Sequence, residues 1–126
     1  GVPGDLRSTW RKVVDEYRKV TENAPLSLLA ACPPCQGMST ARSDRGKEDD
    51  PDAGMQDDRN LLVTVILSVV KELKPRAIVV ENVLAFLTRQ VRHPQTSDPI
   101  SAARLLFEEL KQDYVIYPFV TDLCDY

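Results

Sequence analysis

The sequence predicts an α/β fold, a mostly parallel sheet with flanking helices, and three observations carry that prediction. Two short apolar runs, Leu26-Ser27-Leu28-Leu29-Ala30-Ala31 and Ala77-Ile78-Val79-Val80-Glu81, have the length and continuity of strands covered on both faces. Between them Leu61, Leu62, Val65, Ile66, Val69, Val70 and Leu73 recur at helical spacing and make a wide apolar stripe. A strand, a helix and a strand of this size imply a right-handed parallel crossover.

In chain order, the first element is a helix from Asp5 to about Val20, because Leu6, Trp10, Val13, Val14 and Tyr17 fall on one face, with Asp5 or Ser8 as its cap. Asn23-Ala24-Pro25 ends it, and the first apolar run follows as a strand. Pro33 and Pro34 have no amide proton to give a neighbouring strand, so sheet pairing stops there. From Gly37 to Asp58 the chain is polar, with Arg42, Asp44, Arg45, Lys47, Glu48, Asp49, Asp50 and Asp52, and it reads as a long surface loop. Asp57 or Asp58 caps the next helix, Lys74-Pro75 ends it, and residues 77–81 form the second strand. Val83 to Val91 reads as a short helix or turn and His93 to Pro99 as a loop. Ser101 to Gln112 is a helix through Ala103, Leu105, Leu106, Phe107 and Leu110, capped by Asp98 or Ser101. Tyr114 to Val120 alternates and is rich in β-branched and aromatic residues, which predicts a third strand.

The bulk numbers bound what this chain does. Its 126 residues make about one domain, with 43% hydrophobic and 28% charged residues, ordinary globular values. Sixteen basic against nineteen acidic residues give a net charge of −3, so any contact with a nucleic acid is local rather than a basic stripe. No apolar run approaches the roughly 20 residues that span a bilayer. There is no charged-then-apolar leader, and three cysteines cannot all pair within the chain, which points to a soluble protein of a reducing, intracellular compartment.

The chemistry centres on Cys35. It follows two prolines at the end of an apolar strand, so its direction is fixed with little entropy left to lose, and amides at the start of a turn would favour its thiolate. The bland alternative is a buried small hydrophobe. Cys32-Pro-Pro-Cys35 also has the spacing of a thioredoxin-like redox pair, and with Cys124 and His93 it makes four potential zinc ligands. Glu81 ends the second run; an acid there faces a cleft, where it can give or share a proton, or else caps the next helix or bridges to an arginine. Parallel neighbours would bring Cys35 and Glu81 to one crevice at the carboxyl ends of the strands, where open α/β sheets bind ligands.

Pro33-Pro34-Cys35-Gln36-Gly37-Met38-Ser39, then Asp58-Arg59-Asn60-Leu61, then Lys74-Pro75 before Val79-Val80-Glu81-Asn82-Val83 resemble, in order and spacing, the DNA cytosine-5 methyltransferases. The resemblance covers about residues 4 to 126. It implies part of a Rossmann-like S-adenosylmethionine-dependent methyltransferase fold. It also implies that Cys35 attacks C6 of a cytosine flipped out of duplex DNA, that Glu81 protonates or hydrogen-bonds N3, and that Asn82 helps to place the acid. The ring then takes a methyl group from S-adenosyl-L-methionine at C5. Such chemistry needs these residue types, because addition of a thiolate makes the ring an enamine and an acid at N3 keeps negative charge from building up. By the same resemblance Gln36, Ser39 and Val83 lie near the flipped nucleotide, and Asp5, Leu6, Cys32, Pro34 and Leu61 line the cofactor side. No metal and no membrane are implied.

The Gly-rich cofactor motif, the Gln-x-Arg-x-Arg motif and the target-recognition region of that family are absent from residues 1–126, so the chain is expected to be the central part of a catalytic domain, inactive as a lone polypeptide. The family resemblance leaves the compartment as cytoplasm for a prokaryote and nucleus for a eukaryote. Alternatives are a relative acting on tRNA cytosine, an inactive binding or scaffold module, and a thiol oxidoreductase using Cys32 and Cys35.

Overall fold

The structure is a computed structural model that describes residues 3–33, 62–88 and 90–121. Helix α1 (Leu6–Val20) starts where the sequence places it, with Asp5 as N-cap accepting from the Arg7 amide. The residue before the cap, Gly4, has φ +120, and a Cβ there would stand 3.1 Å from the Thr9 methyl, so glycine fits this entry to the helix. At the far end Glu22 and Asn23 take positive φ, 52 and 63, and the Asn23 amide closes back on the Arg18 carbonyl.

Strand β1 (Leu28–Ala31), helix α2 (Leu62–Leu73) and strand β2 (Ala77–Val80) follow. Lys74 takes φ 45 and gives its amide to the Val70 carbonyl, and Pro75 then forbids another helical turn. The two strands pair in parallel, Leu28 opposite Ala77 through Ala31 opposite Val80. A 3₁₀ turn (Leu84–Leu87) leads into strands β3 (Gln90–Arg92) and β4 (Pro99–Ser101), which pair antiparallel, and helix α3 (Ala102–Leu110) completes the order. Ser101 caps α3 by accepting from the Arg104 amide.

One core holds these elements. Val63, Ile66, Leu67 and Val70 of α2 pack with Ala102, Leu105, Leu106 and Leu110 of α3, with Phe86 and with Val91. Leu105 is fully enclosed, and burying a leucine side chain contributes about 1.5–3 kcal/mol. Leu29, Ala31, Ile78 and Val80 lay one face of the sheet on this cluster. On the outer side α1 packs against α2, burying Val14, and Arg18 donates to the Glu72 carbonyl (3.1 Å) and carboxylate (2.9 Å). Lys71 and Glu109 join α2 to α3 at 2.6 Å.

The structure corrects three expectations. The strands are not covered on both faces: Leu28 and Val79 are about half exposed, and Ala30 and Ala77 are exposed with them, because no described element lies over that side. The stretch His93 to Pro99 is the turn of a hairpin rather than a plain loop, with Pro99 already paired to Arg92. Tyr114 to Val120 forms no strand. Its alternation is real, since Tyr114 and Ile116 pack on the core while Val115, Tyr117 and Phe119 face outward, but among the described residues no strand lies beside it to share a ladder. Tyr114 is instead held by its hydroxyl, which donates to the Pro75 carbonyl at 2.8 Å, and burial pushes that phenol above its ordinary value. The polar stretch from Gly37 to Asp58 lies outside the described residues.

Candidate active site

The parallel pairing of β1 and β2 sets the site. Because the ladder ends at Ala31 opposite Val80, the next residues, Cys32 and Glu81, meet side by side just past the carboxyl ends of both strands. The Glu81 amide still donates to the Ala31 carbonyl at 3.0 Å, which carries the pairing one residue further and fixes where the acid begins. From there Cys32 Sγ donates to Glu81 Oε2 at 2.7 Å. Both residues are exposed, so the acid is open to solvent at the sheet tip rather than walled in by apolar groups.

Asn82 ties the same two segments together. Its Nδ2 donates to the Pro33 carbonyl at 3.1 Å, while its Oδ1 accepts from the Val83 amide at 2.9 Å. The first bond spans the gap between the chain leaving β1 and the chain leaving β2, where the prolines have ended ordinary ladder pairing. The second shapes the turn into the 3₁₀ segment, for which Val83 has extended backbone, φ −74 and ψ 157. Val83 itself is 37% exposed beside Glu81 and Asn82, on the rim where the resemblance puts the nucleotide.

Of the residues singled out in the sequence, the structure brings Cys32, Glu81, Asn82 and Val83 to one tip. Cys35, Gln36 and Ser39, and on the cofactor side Pro34 and Leu61, lie outside the described residues. Asp5 and Leu6 stand at the amino end of α1. Asp5 Oδ1 accepts from the Arg7 amide (2.9 Å) and Nε (3.0 Å), and Oδ2 accepts from Nε (2.8 Å) and pairs with Nη2. The Arg7 side chain, then the Arg7 amide, hold this carboxyl below the usual aspartate range. Both of its oxygens thus accept from the neighbouring Arg7. Leu6 is 42% exposed.

His93 takes a structural role. His93 Nδ1 accepts from the Gln95 and Thr96 amides at 3.2 and 3.3 Å, so this imidazole builds the β3–β4 turn. Cys124 lies outside the described residues, and among those described no group of three histidine, cysteine or acidic side chains is placed to hold a metal ion. A hollow between α1 and α2, lined by Trp10, Arg11, Val14, Asp15, Arg18 and Glu72, shares no residue with the sheet tip. No described helix is long and apolar enough to cross a membrane.

The Cys32–Glu81 contact is the feature that sequence reasoning missed. The signal was present in the register: paired positions differ by 49 from Leu28–Ala77 to Ala31–Val80, and the same offset carries Cys32 onto Glu81.

The parallel strands β1 and β2 thus bring Cys32, ahead of a proline pair in the sequence, and an acid to adjacent tips. The family model for C-5 cytosine-specific DNA methylase matches residues 4–124, and the chain belongs to that family. Among curated proteins it is similar to the type II methyltransferase M1.HgaI of Avibacterium volantium, 31% identical over 125 residues, which are 99% of this chain and 33% of that protein. It is also similar to the type II methyltransferase M.AquIA of Picosynechococcus sp. (strain ATCC 27264 / PCC 7002 / PR-6), 38% identical over 82 residues, 65% of this chain and 29% of that protein. The chain therefore spans about a third of the length of the curated relatives it matches. No solved structure matches significantly.

Proposed function

We propose that this chain carries the nucleophile and the acid of a DNA cytosine-5 methyltransferase, which moves a methyl group from S-adenosylmethionine to C5 of a cytosine flipped out of duplex DNA. The observation that supports the reading is the meeting of the Glu81 carboxylate with the segment that leads into Cys35, at the carboxyl ends of two parallel strands. Cys35 follows Cys32 by three residues in the sequence, a covalent reach of at most about 11 Å. The family match and the names of the type II methyltransferase relatives support DNA as the substrate.

In this reading the Cys35 thiolate adds to C6 of the base. A carbon–sulfur bond forms, the C5–C6 double bond opens, and its electron pair moves toward C5 as Glu81 gives a proton to N3. Asn82, latched to the Pro33 carbonyl, keeps the acid's segment and the cysteine's segment at fixed separation while this happens. S-adenosylmethionine, when bound, supplies an electrophilic methyl group. C5 bonds to that methyl carbon, loss of the C5 proton to a solvent base restores the double bond and expels the cysteine as thiolate, and N3 returns its proton to Glu81. A base inside a duplex cannot be reached from either strand tip, so the mechanism includes extrusion of the cytosine.

The test is trapping. The full-length protein that carries this sequence is incubated with duplex DNA containing 5-fluorocytosine and with S-adenosylmethionine, where fluorine at C5 blocks the last step. A covalent protein–DNA complex that is lost in Cys35→Ser is the expected result. A complex that persists in Cys35→Ser overturns the assignment of the nucleophile.

A further inference from the structure

The geometry points to Cys32 as a positioning residue for Glu81, an inference that rests on the acid role given to Glu81 above. The carboxyl of Glu81 has two oxygens, and only one can face N3 of a base. Cys32 Sγ takes Oε2 at 2.7 Å, and among the described residues Oε1 accepts no hydrogen bond. The side chain of an exposed glutamate otherwise turns about three single bonds, and holding it in one geometry costs rotamer entropy. A donor on Oε2 removes part of that freedom before the base arrives and leaves Oε1 as the oxygen presented to it.

Cys32 suits the task because of where the register puts it. It is the first residue past the ladder on β1, as Glu81 is on β2, so its side chain needs no reach to meet the acid. A thiol is a weak donor, and unlike lysine or arginine it brings no fixed positive charge to the tip. The neighbouring Asn82–Pro33 bond holds the two backbones at the spacing this contact requires. Cys32 touches neither substrate nor reacting atoms in this account; it acts through Glu81.

The test compares Cys32→Ala, Cys32→Ser and Glu81→Gln in the full-length protein by steady-state methylation kinetics and thermal unfolding. Cys32→Ala is expected to lower kcat about 3- to 10-fold, the size of one lost hydrogen bond, with KM for DNA and for the methyl donor within about 2-fold of the parent. Cys32→Ser, whose hydroxyl can donate to the same oxygen, is expected to recover at least half of the loss. Because Cys32 is exposed, the melting temperatures are expected to agree. An unchanged kcat in Cys32→Ala overturns the inference. So does a raised KM for the methyl donor at constant kcat, which would seat Cys32 against that ligand, and so does a loss that serine fails to recover. Should Cys32→Ala not fold, the serine variant decides: near-parental kcat supports the tether and a large loss overturns it. Full turnover in Glu81→Gln is a different result, which removes the acid role itself.

Discussion

Two carboxylates stand out in this chain, Asp5 at the start of α1 and Glu81 at the end of β2, and their surroundings differ in the charge and the sequence distance of the partner. Asp5 is clasped by Arg7 through both oxygens and caps its own helix, all within two residues of sequence. Its partners are local, and a positive group saturates it. Glu81 is met by Cys32, 49 residues away in sequence, through a side chain that carries no charge as a thiol. Its place depends on the parallel ladder of two strands, and Oε1 stays open among the described residues. An acid committed to a guanidinium is kept ionised and has no proton to offer.

The sharpest way to break this contrast is Glu81→Gln. The amide keeps the size of the side chain and a hydrogen-bond acceptor for Cys32, but it cannot deliver a proton to N3. Positioned acid–base groups contribute about 10²- to 10⁴-fold, so kcat is expected to fall within that range while the protein still folds. Methyl transfer measured with labelled donor, beside a thermal melt, checks this. Turnover within a few-fold of the parent would place Glu81 with Asp5 among the structural acids.

A smaller effect is expected from Asn82→Ala. The change removes the donor to the Pro33 carbonyl and the acceptor for the Val83 amide, each of which lies at a part-buried or exposed tip. Stability should drop by about 1 kcal/mol, since water replaces some of what is lost. The spacing between the Cys35 segment and Glu81 loosens at the same time, so kcat should fall further than stability alone explains. A denaturant titration and a rate measured at a temperature well below the transition separate the two. If the rate follows stability alone, the latch serves the fold and not the site.

How much of this was legible differs between the helices and the tip. The spans of α1, α2 and α3 were readable because each carries several turns of apolar spacing and a capping or stopping residue: Asp5, Lys74-Pro75 and Ser101. The β3–β4 hairpin was not, because three-residue strands such as Gln-Val-Arg and Pro-Ile-Ser are too short to show alternation, and Pro99 argues against a strand until an edge position is known. Tyr114 to Val120 misled in the opposite sense, since alternation reports a half-buried surface and a ladder also needs a neighbour. At the site, Glu81 could be placed at a strand tip from the run Ile78-Val79-Val80 alone. Its contact with Cys32 could not, because a shift of one residue would turn a different side chain toward it, and register is a property of the paired strands rather than of either one.

The smallest expected effect sharpens the other half of the contrast. Arg7, by its side chain first and its amide second, lowers the Asp5 pKa below the ordinary 3.8, so the folded protein resists protonating a group that the unfolded chain protonates more readily. The stability this adds is fully present above the unfolded value and is lost as pH falls through 3.8 toward the lowered folded value. Asp5→Asn keeps a good N-cap but removes the charge. Denaturation midpoints of parent and Asp5→Asn should therefore differ slightly near neutral pH and converge on acidification, while KM for the methyl donor stays where it was. A difference that is equally large in acid would show that the cap's shape, not its charge, carries the effect. A raised KM would move Asp5 from the helix end to the donor's binding site, and both carboxylates would then serve the reaction, one at the donor and one at the base.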